Sequence, residues 1–81
     1  MFHVYILRCA DNTLYTGIAL DVEKRVVEHN TSPLGAKYTQ SRRPVKLIFS
    51  KEAGDQAEAS KEEYRVKQLS RQQKLELCGL K

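Results

Sequence analysis

The side chains in this sequence best suited to chemistry are two tyrosines ten residues apart, Tyr5 and Tyr15, an arginine and a histidine four apart, Arg25 and His29, and the glutamate pair Glu62-Glu63. A phenol has a pKa of ~10 and becomes a base only when its phenolate is stabilised, by ~2.7 kcal/mol for a two-unit shift. Nearby cations and a hydrogen-bonding His29 are the groups expected to supply it. A guanidinium is charged at any relevant pH and offers forked donors that match phosphate oxygens. An imidazole can orient a neighbour or relay a proton. A carboxylate supplies the anionic oxygen that a hard divalent cation requires. Helical periodicity relative to Ala59 and Val66 does not choose between Glu62 and Glu63, which both fall at the edge of that stripe.

Several chemistries are excluded by their missing signatures. There is no glycine-rich phosphate loop, no His-Glu-x-x-His helix and no Gly-x-Ser-x-Gly elbow, and the histidines are His3 and His29 only. Cys9 and Cys78 form neither a Cys-x-x-Cys pair nor a zinc-ligand spacing. The N-terminus has no long apolar run, so a cytoplasmic location is expected.

Charge points to the partner. Fourteen Lys and Arg against ten Asp and Glu give a formal charge of +4, which favours an acidic partner such as nucleic acid. No acidic residue lies between Glu28 and Glu52, while Lys37, Arg42, Arg43, Lys46 and Lys51 all do. With Tyr38 interleaved, Lys37, Arg42, Arg43 and Lys46 suit a phosphate track with one stacking ring, the plainer alternative being a solubilising loop.

The elements that must position these groups follow from the 81 residues, which bound the chain to one small domain over 1–81. Phe2 to Cys9 and Thr13 to Leu20 are rich in β-branched and aromatic residues and read as a hairpin. A two-residue loop, Asp11-Asn12, sends Tyr5 and Tyr15 to opposite faces; a three-residue loop pairs Tyr5 with Gly17 and puts both tyrosines on one face. Asp21 caps a helix running to about Asn30 and ended by Thr31-Ser32-Pro33, with Val22 and Val26 inward and Arg25 and His29 on a neighbouring face. Gly35 to Ser41 reads as a turn or short helix and Val45 to Phe49 as a third strand. Asp55 to Gln72 contains no Pro or Gly and reads as one long amphipathic helix. The expected order is ββα(α)βα.

His3-Val4-Tyr5, then Tyr15-Thr16-Gly17, then Arg25, His29 and a helical glutamate resemble the GIY-YIG nuclease superfamily over nearly the whole chain, most closely its small standalone bacterial members of the YhbQ type. The basic element Lys67-Gln68-Leu69-Ser70-Arg71 is similar to one in their C-terminal helix. The resemblance implies an α+β fold with a small three-stranded antiparallel sheet flanked by helices, and metal-dependent cleavage of DNA with one Mg²⁺ or Mn²⁺ per site. It assigns Tyr15 to the base for the attacking water and Tyr5 to positioning. Arg25 would hold the scissile phosphate, with His29 beside a tyrosine. Glu63, three positions before Val66-Lys67, is its choice for the metal. Gly17 would let substrate backbone or a ring approach closely, and Lys67 would join the nucleic-acid contacts.

The chain departs from the family pattern at His3, where glycine is usual, and in lacking an asparagine after the glutamate helix. One domain is expected without a second DNA-binding domain beside it, which leaves target choice to a partner protein. The rival expectation is an adaptor that binds nucleic acid without cutting it and acts through such a partner.

Overall fold

A turn chosen by three residues sets the geometry of the whole sheet. In the computed structural model, which describes residues 1–31 and 37–79, strand β1 (Phe2–Arg8) pairs antiparallel with β2 (Leu14–Ala19). The Cys9 N–H donates to the Thr13 carbonyl and the Asn12 N–H to the Cys9 carbonyl, each at 2.9 Å, which closes a three-residue loop at Ala10-Asp11-Asn12. Asn12 takes a φ of 68°, a left-handed conformation that Asn adopts more readily than most residues. Asp11 Oδ1 accepts from both the backbone N–H and the hydroxyl of Thr13, the local bonding that makes Asp a turn residue. Tyr5 therefore faces Gly17 and Leu7 faces Tyr15, and both phenols lie on one side of the sheet.

The helices α1 (Val22–Thr31) and α2 (Lys37–Gln40) follow, then β3 (Lys46–Gly54), α3 (Gln56–Lys67) and α4 (Arg71–Leu77). The sheet order is β2-β1-β3 and every pairing is antiparallel, the α+β architecture expected. Strand β3 runs five residues beyond Phe49. Its exposed Lys51 and Glu52 conceal it from apolar patterning, because an edge strand is paired on one side only.

Each sheet face has its own core. Tyr5, Leu7, Cys9 and Val45 pack with Val22 and Val26 of α1, whose N-terminus is capped by Asp21 Oδ1 accepting from the Lys24 N–H at 3.1 Å. Val4 and Ile6 pack on the opposite face with Val66 of α3, Leu69 and Cys78. Asn30 ties α1 to the start of β3, accepting from the Val45 N–H at 2.7 Å and donating to the Val45 carbonyl at 3.1 Å.

The single helix expected from Asp55 to Gln72 is two. Reciprocal capping boxes open both, Asp55 with Glu58 and Ser70 with Gln73. Ser70 stops the first by offering the backbone a competing partner while Leu69 turns into the core. Gly79, at a φ of 76°, follows α4, where glycine at positive φ ends a helix without steric cost. No helix among the described residues is long and apolar enough to cross a membrane.

Candidate active site

The register of the hairpin and one turn of α1 bring three rings together. The Tyr5 hydroxyl lies 2.8 Å from His29 Nε2, and the rings of Tyr5 and Tyr15 stand 5.9 and 5.2 Å from the imidazole, both edge-on. The two phenol rings are 6.5 Å apart. His29 is wholly buried, and its Nδ1 lies 2.8 Å from the hydroxyl of Thr39, a buried residue of α2. A polar line therefore runs from β1 through α1 to α2 beneath the sheet face.

Burial decides the protonation of this line. Tyr5 is pushed up to about 12, by desolvation first and then by Tyr15 and Glu63, against the opposing hydrogen bond and charge of Arg25. Tyr15 is raised as well, by burial and Glu63, against Arg25. His29 is pulled down to about 4 by burial, with Arg25 and Arg43 adding to the effect and Glu28 opposing it. At neutral pH both phenols are thus protonated and the imidazole is neutral. The lowered phenol pKa expected from nearby cations is not what the free chain has: desolvation of a buried anion outweighs Arg25.

A neutral imidazole has one donor and one acceptor nitrogen. Arg25 reaches the Tyr5 oxygen only as a donor, so the buried phenol proton needs an acceptor, and His29 Nε2 is in place to be one. The proton of His29 then sits on Nδ1 and is donated to Thr39 Oγ1. Thr39 has no sequence signal; it reads as an ordinary loop threonine, and only the docking of α2 against α1 buries it.

Arg25 lies on α1 with Glu28 Oε1 3.3 Å from its Nη1. It lines a cleft of about 300 Å³ with Ile18, Ala19 and Lys24. Glu63, on α3, acts electrostatically on both phenols, and its Oε2 lies 3.7 Å from Lys67 Nζ. Glu62 instead pairs with Arg65 and lines a cleft on the β3 side with Lys51 and Ala53. The two glutamates that periodicity leaves equivalent differ in their surroundings: Glu62 pairs with Arg65, whereas the charge of Glu63 is felt at both phenols.

The expected nucleic-acid contacts separate. A Cβ on Gly17 would meet the Tyr5 hydroxyl at 2.7 Å and the Tyr15 ring at 3.2 Å. The space at this buried position thus belongs to the chain's own rings, and Gly17 packs against Tyr5 instead of facing a ligand. Arg42 Nε donates to Asp11 Oδ2 at 2.9 Å, tying α2 to the hairpin loop. Arg43 Nε donates to the His29 carbonyl at 2.6 Å, satisfying an acceptor in the last turn of α1. Both arginines of the expected track are therefore engaged within the fold. Lys46 is exposed at the start of β3 and Lys67 at the end of α3. The side chains of Lys37 and Tyr38 lie outside what the structure describes.

The model of the GIY-YIG catalytic domain family matches residues 1–76. This chain belongs to the GIY-YIG family. A UPF0213 protein of Desulfotalea psychrophila is 57% identical over 67 residues, a match spanning 83% of this chain and 61% of that relative. A UPF0213 protein of Staphylococcus saprophyticus is 49% identical over 77 residues, 95% of this chain and 93% of its own length. The solution NMR structure of the UPF0213 protein BH0048 from Bacillus halodurans superposes with a TM-score of 0.60 at 44% identity, covering 100% of this chain and 86% of that one. The pairing of Tyr5 with Gly17 gives the two GIY-YIG triplets a structural sense, since the tyrosine of the first packs on the glycine of the second.

GIY-YIG nucleases generally use a divalent metal. Among the described residues no three of His, Cys, Asp and Glu cluster as metal ligands. His29 beside the phenols has both ring nitrogens engaged, by Tyr5 and Thr39, which leaves the phenol oxygens and Glu63, whose charge acts on both phenols, as the donors there. That set fits a hard cation such as Mg²⁺ or Mn²⁺, which accepts a single carboxylate when water and phosphate oxygens complete its shell.

Proposed function

We propose that this protein is a divalent-metal-dependent endonuclease that cleaves DNA phosphodiester bonds, acting as one domain in the cytoplasm, in DNA repair or recombination. The observation that carries the reading is the cluster of two phenols, a guanidinium and an imidazole from β1, β2 and α1, with the charge of Glu63 on α3 acting on both phenols, within a GIY-YIG fold.

The two tyrosines divide the work by exposure. Tyr5 is 1% exposed and held by His29. Burial raises the Tyr5 phenol and lowers the His29 imidazole, so both keep their neutral forms and the proton stays on Tyr5. Tyr5 is therefore a positioning residue and not a proton donor. Tyr15 is only half-buried and is the phenol that meets the attacking water. Glu63 would hold the metal ion, one per site, Mg²⁺ or Mn²⁺, and a cation bound there would supply positive charge that favours the phenolate and the loss of a proton from the attacking water. Tyr15 would first release its own proton to solvent and, as the phenolate, take the proton of the water as the water oxygen bonds to phosphorus. The opposite P–O bond breaks and its oxygen takes a proton from solvent. Arg25 donates to the phosphate oxygens that gain charge, an interaction whose loss commonly costs ~2.7–4 kcal/mol in the barrier.

The test is a panel of labelled single-stranded, duplex and branched DNAs incubated with Mg²⁺ or Mn²⁺. Cleavage by the wild-type chain is expected, lost in Arg25→Ala and Glu63→Gln and kept in Glu62→Gln, with the fold of each checked by circular dichroism. Salt-dependent binding without turnover in either metal would instead make the protein a nucleic-acid adaptor that works through a partner.

A further inference from the structure

Two clefts lie along the exposed edge of β2. The one beside Arg25 belongs to the candidate active site. The other, of about 190 Å³, sits at the opposite end of the strand and is lined by Thr13, Leu14, Arg71 and Lys74. Arg71 and Lys74 are three apart on α4 and so project side by side. No carboxylate lines this cleft. Among the described residues neither cation has an ion-pair partner. Asp11, next in the hairpin, is already committed to Thr13 and Arg42. The cleft on the β3 edge is different, since Lys51, Lys61 and Arg65 there are matched by Glu52, Glu58 and Glu62.

The position of the basic cleft matters as much as its charge. Leu14 and Ala19 bound β2, a length of ~17 Å at ~3.3 Å per residue, or about five nucleotides of one strand at ~3.4 Å each. Tyr15 follows Leu14 directly but points to the other sheet face, Leu14 packing with the α3 core and Tyr15 with the α1 core, and Lys67 stands one turn, ~6 Å, beyond Glu63 on α3. The edge of β2 is what the two faces share, so a strand whose phosphate lies at Arg25 and Tyr15 meets this cleft by crossing that edge.

We propose that the cleft of Thr13, Leu14, Arg71 and Lys74 is a phosphate subsite, and that with Lys67 it carries a DNA strand along the β2 edge away from the point of cleavage. The assignment rests on the nuclease reading for its ligand and replaces Arg42 and Arg43, which the fold employs internally, with cations of α4. Contacts of this kind hold the backbone without reading bases.

The experiment measures equilibrium binding of fluorescent duplexes of two unrelated sequences, without metal, from ~50 to ~200 mM salt. For Arg71→Gln with Lys74→Gln, the slope of log K against log salt falls by about 1.8, at ~0.9 per phosphate contact, equally for both sequences. Lys51→Gln with Lys61→Gln leaves the slope unchanged. Circular dichroism reports folding, which the Ser70–Gln73 capping box does not owe to either cation. A slope unaltered in the α4 variant overturns the subsite, as does a wild-type chain that binds no DNA at the lowest salt. Binding of polyglutamate that is lost in the same variant while DNA binding persists also overturns it and assigns the cleft to an acidic protein. Failure of the nuclease reading is distinguishable, because it shows as binding without cleavage and leaves the slope measurement intact.

Discussion

The buried imidazole of His29 makes the stability of this fold depend on pH in a calculable way. Its pKa falls from 6.5 to about 4 on folding. The unfolded chain therefore takes up a proton below about 6.5 that the folded chain refuses until about 4. Stability is complete above the unfolded value, declines as pH falls between the two, and levels off below the folded one. The full difference is ~3 kcal/mol, of which ~2 kcal/mol is already lost at pH ~5. Urea unfolding at pH ~7 and pH ~5 measures it. With a slope of ~1 kcal/mol per molar urea, the wild-type midpoint drops by ~2 M more than that of His29→Gln, which has no proton to gain. An NMR titration of the imidazole checks the same quantity without a variant. A His29 resonance that titrates near 6.5, or wild type and variant losing stability in parallel, would refute the idea that Tyr5 and Thr39 enclose a neutral ring.

Gly17→Ala places a methyl 2.7 Å from the Tyr5 hydroxyl and 2.8 Å from Cζ, which displaces the ring from His29. A net loss of ~2 kcal/mol is expected from overpacking and the broken hydrogen bond, offset partly by strand entropy. Calorimetry should then show Tm lower by ~8–16 °C for a chain of this size; an unchanged Tm would mean Tyr5 is not pinned. Thr39→Val leaves the His29 Nδ1–H without its buried acceptor, at a cost of ~1–3 kcal/mol in urea unfolding. Thr39→Ser restores it, and the ¹⁵N shifts of the imidazole follow the tautomer in both; a tautomer unmoved by Val would show that Thr39 does not set it.

Much of the architecture was legible in the chain itself. β-branched runs on either side of Ala10-Asp11-Asn12, the cap at Asp21 and the Ala59–Val66 stripe each declare an element through local chemistry. The break before Ser70 was equally local, since Ser70 and Gln73 stand at capping-box spacing, but strong helix propensity on both sides concealed it.

What local chemistry could not decide was which of several equivalent positions faces inward. A loop of two residues or of three serves the same sequence, and only pairing with β1 and burial of Tyr5 against Gly17 select the second. Glu62 and Glu63 are alike on a helical wheel, and only the folded chain distinguishes them, Glu62 pairing with Arg65 and Glu63 with Lys67. Arg42 and Arg43 read as free cations until folding brings Asp11 and the His29 carbonyl to them. Thr39 is anonymous until α2 docks. Charge and propensity are properties of a residue and its near neighbours, whereas burial, the quantity that sets the protonation of Tyr5, Tyr15 and His29, exists only once distant segments exclude water from one another.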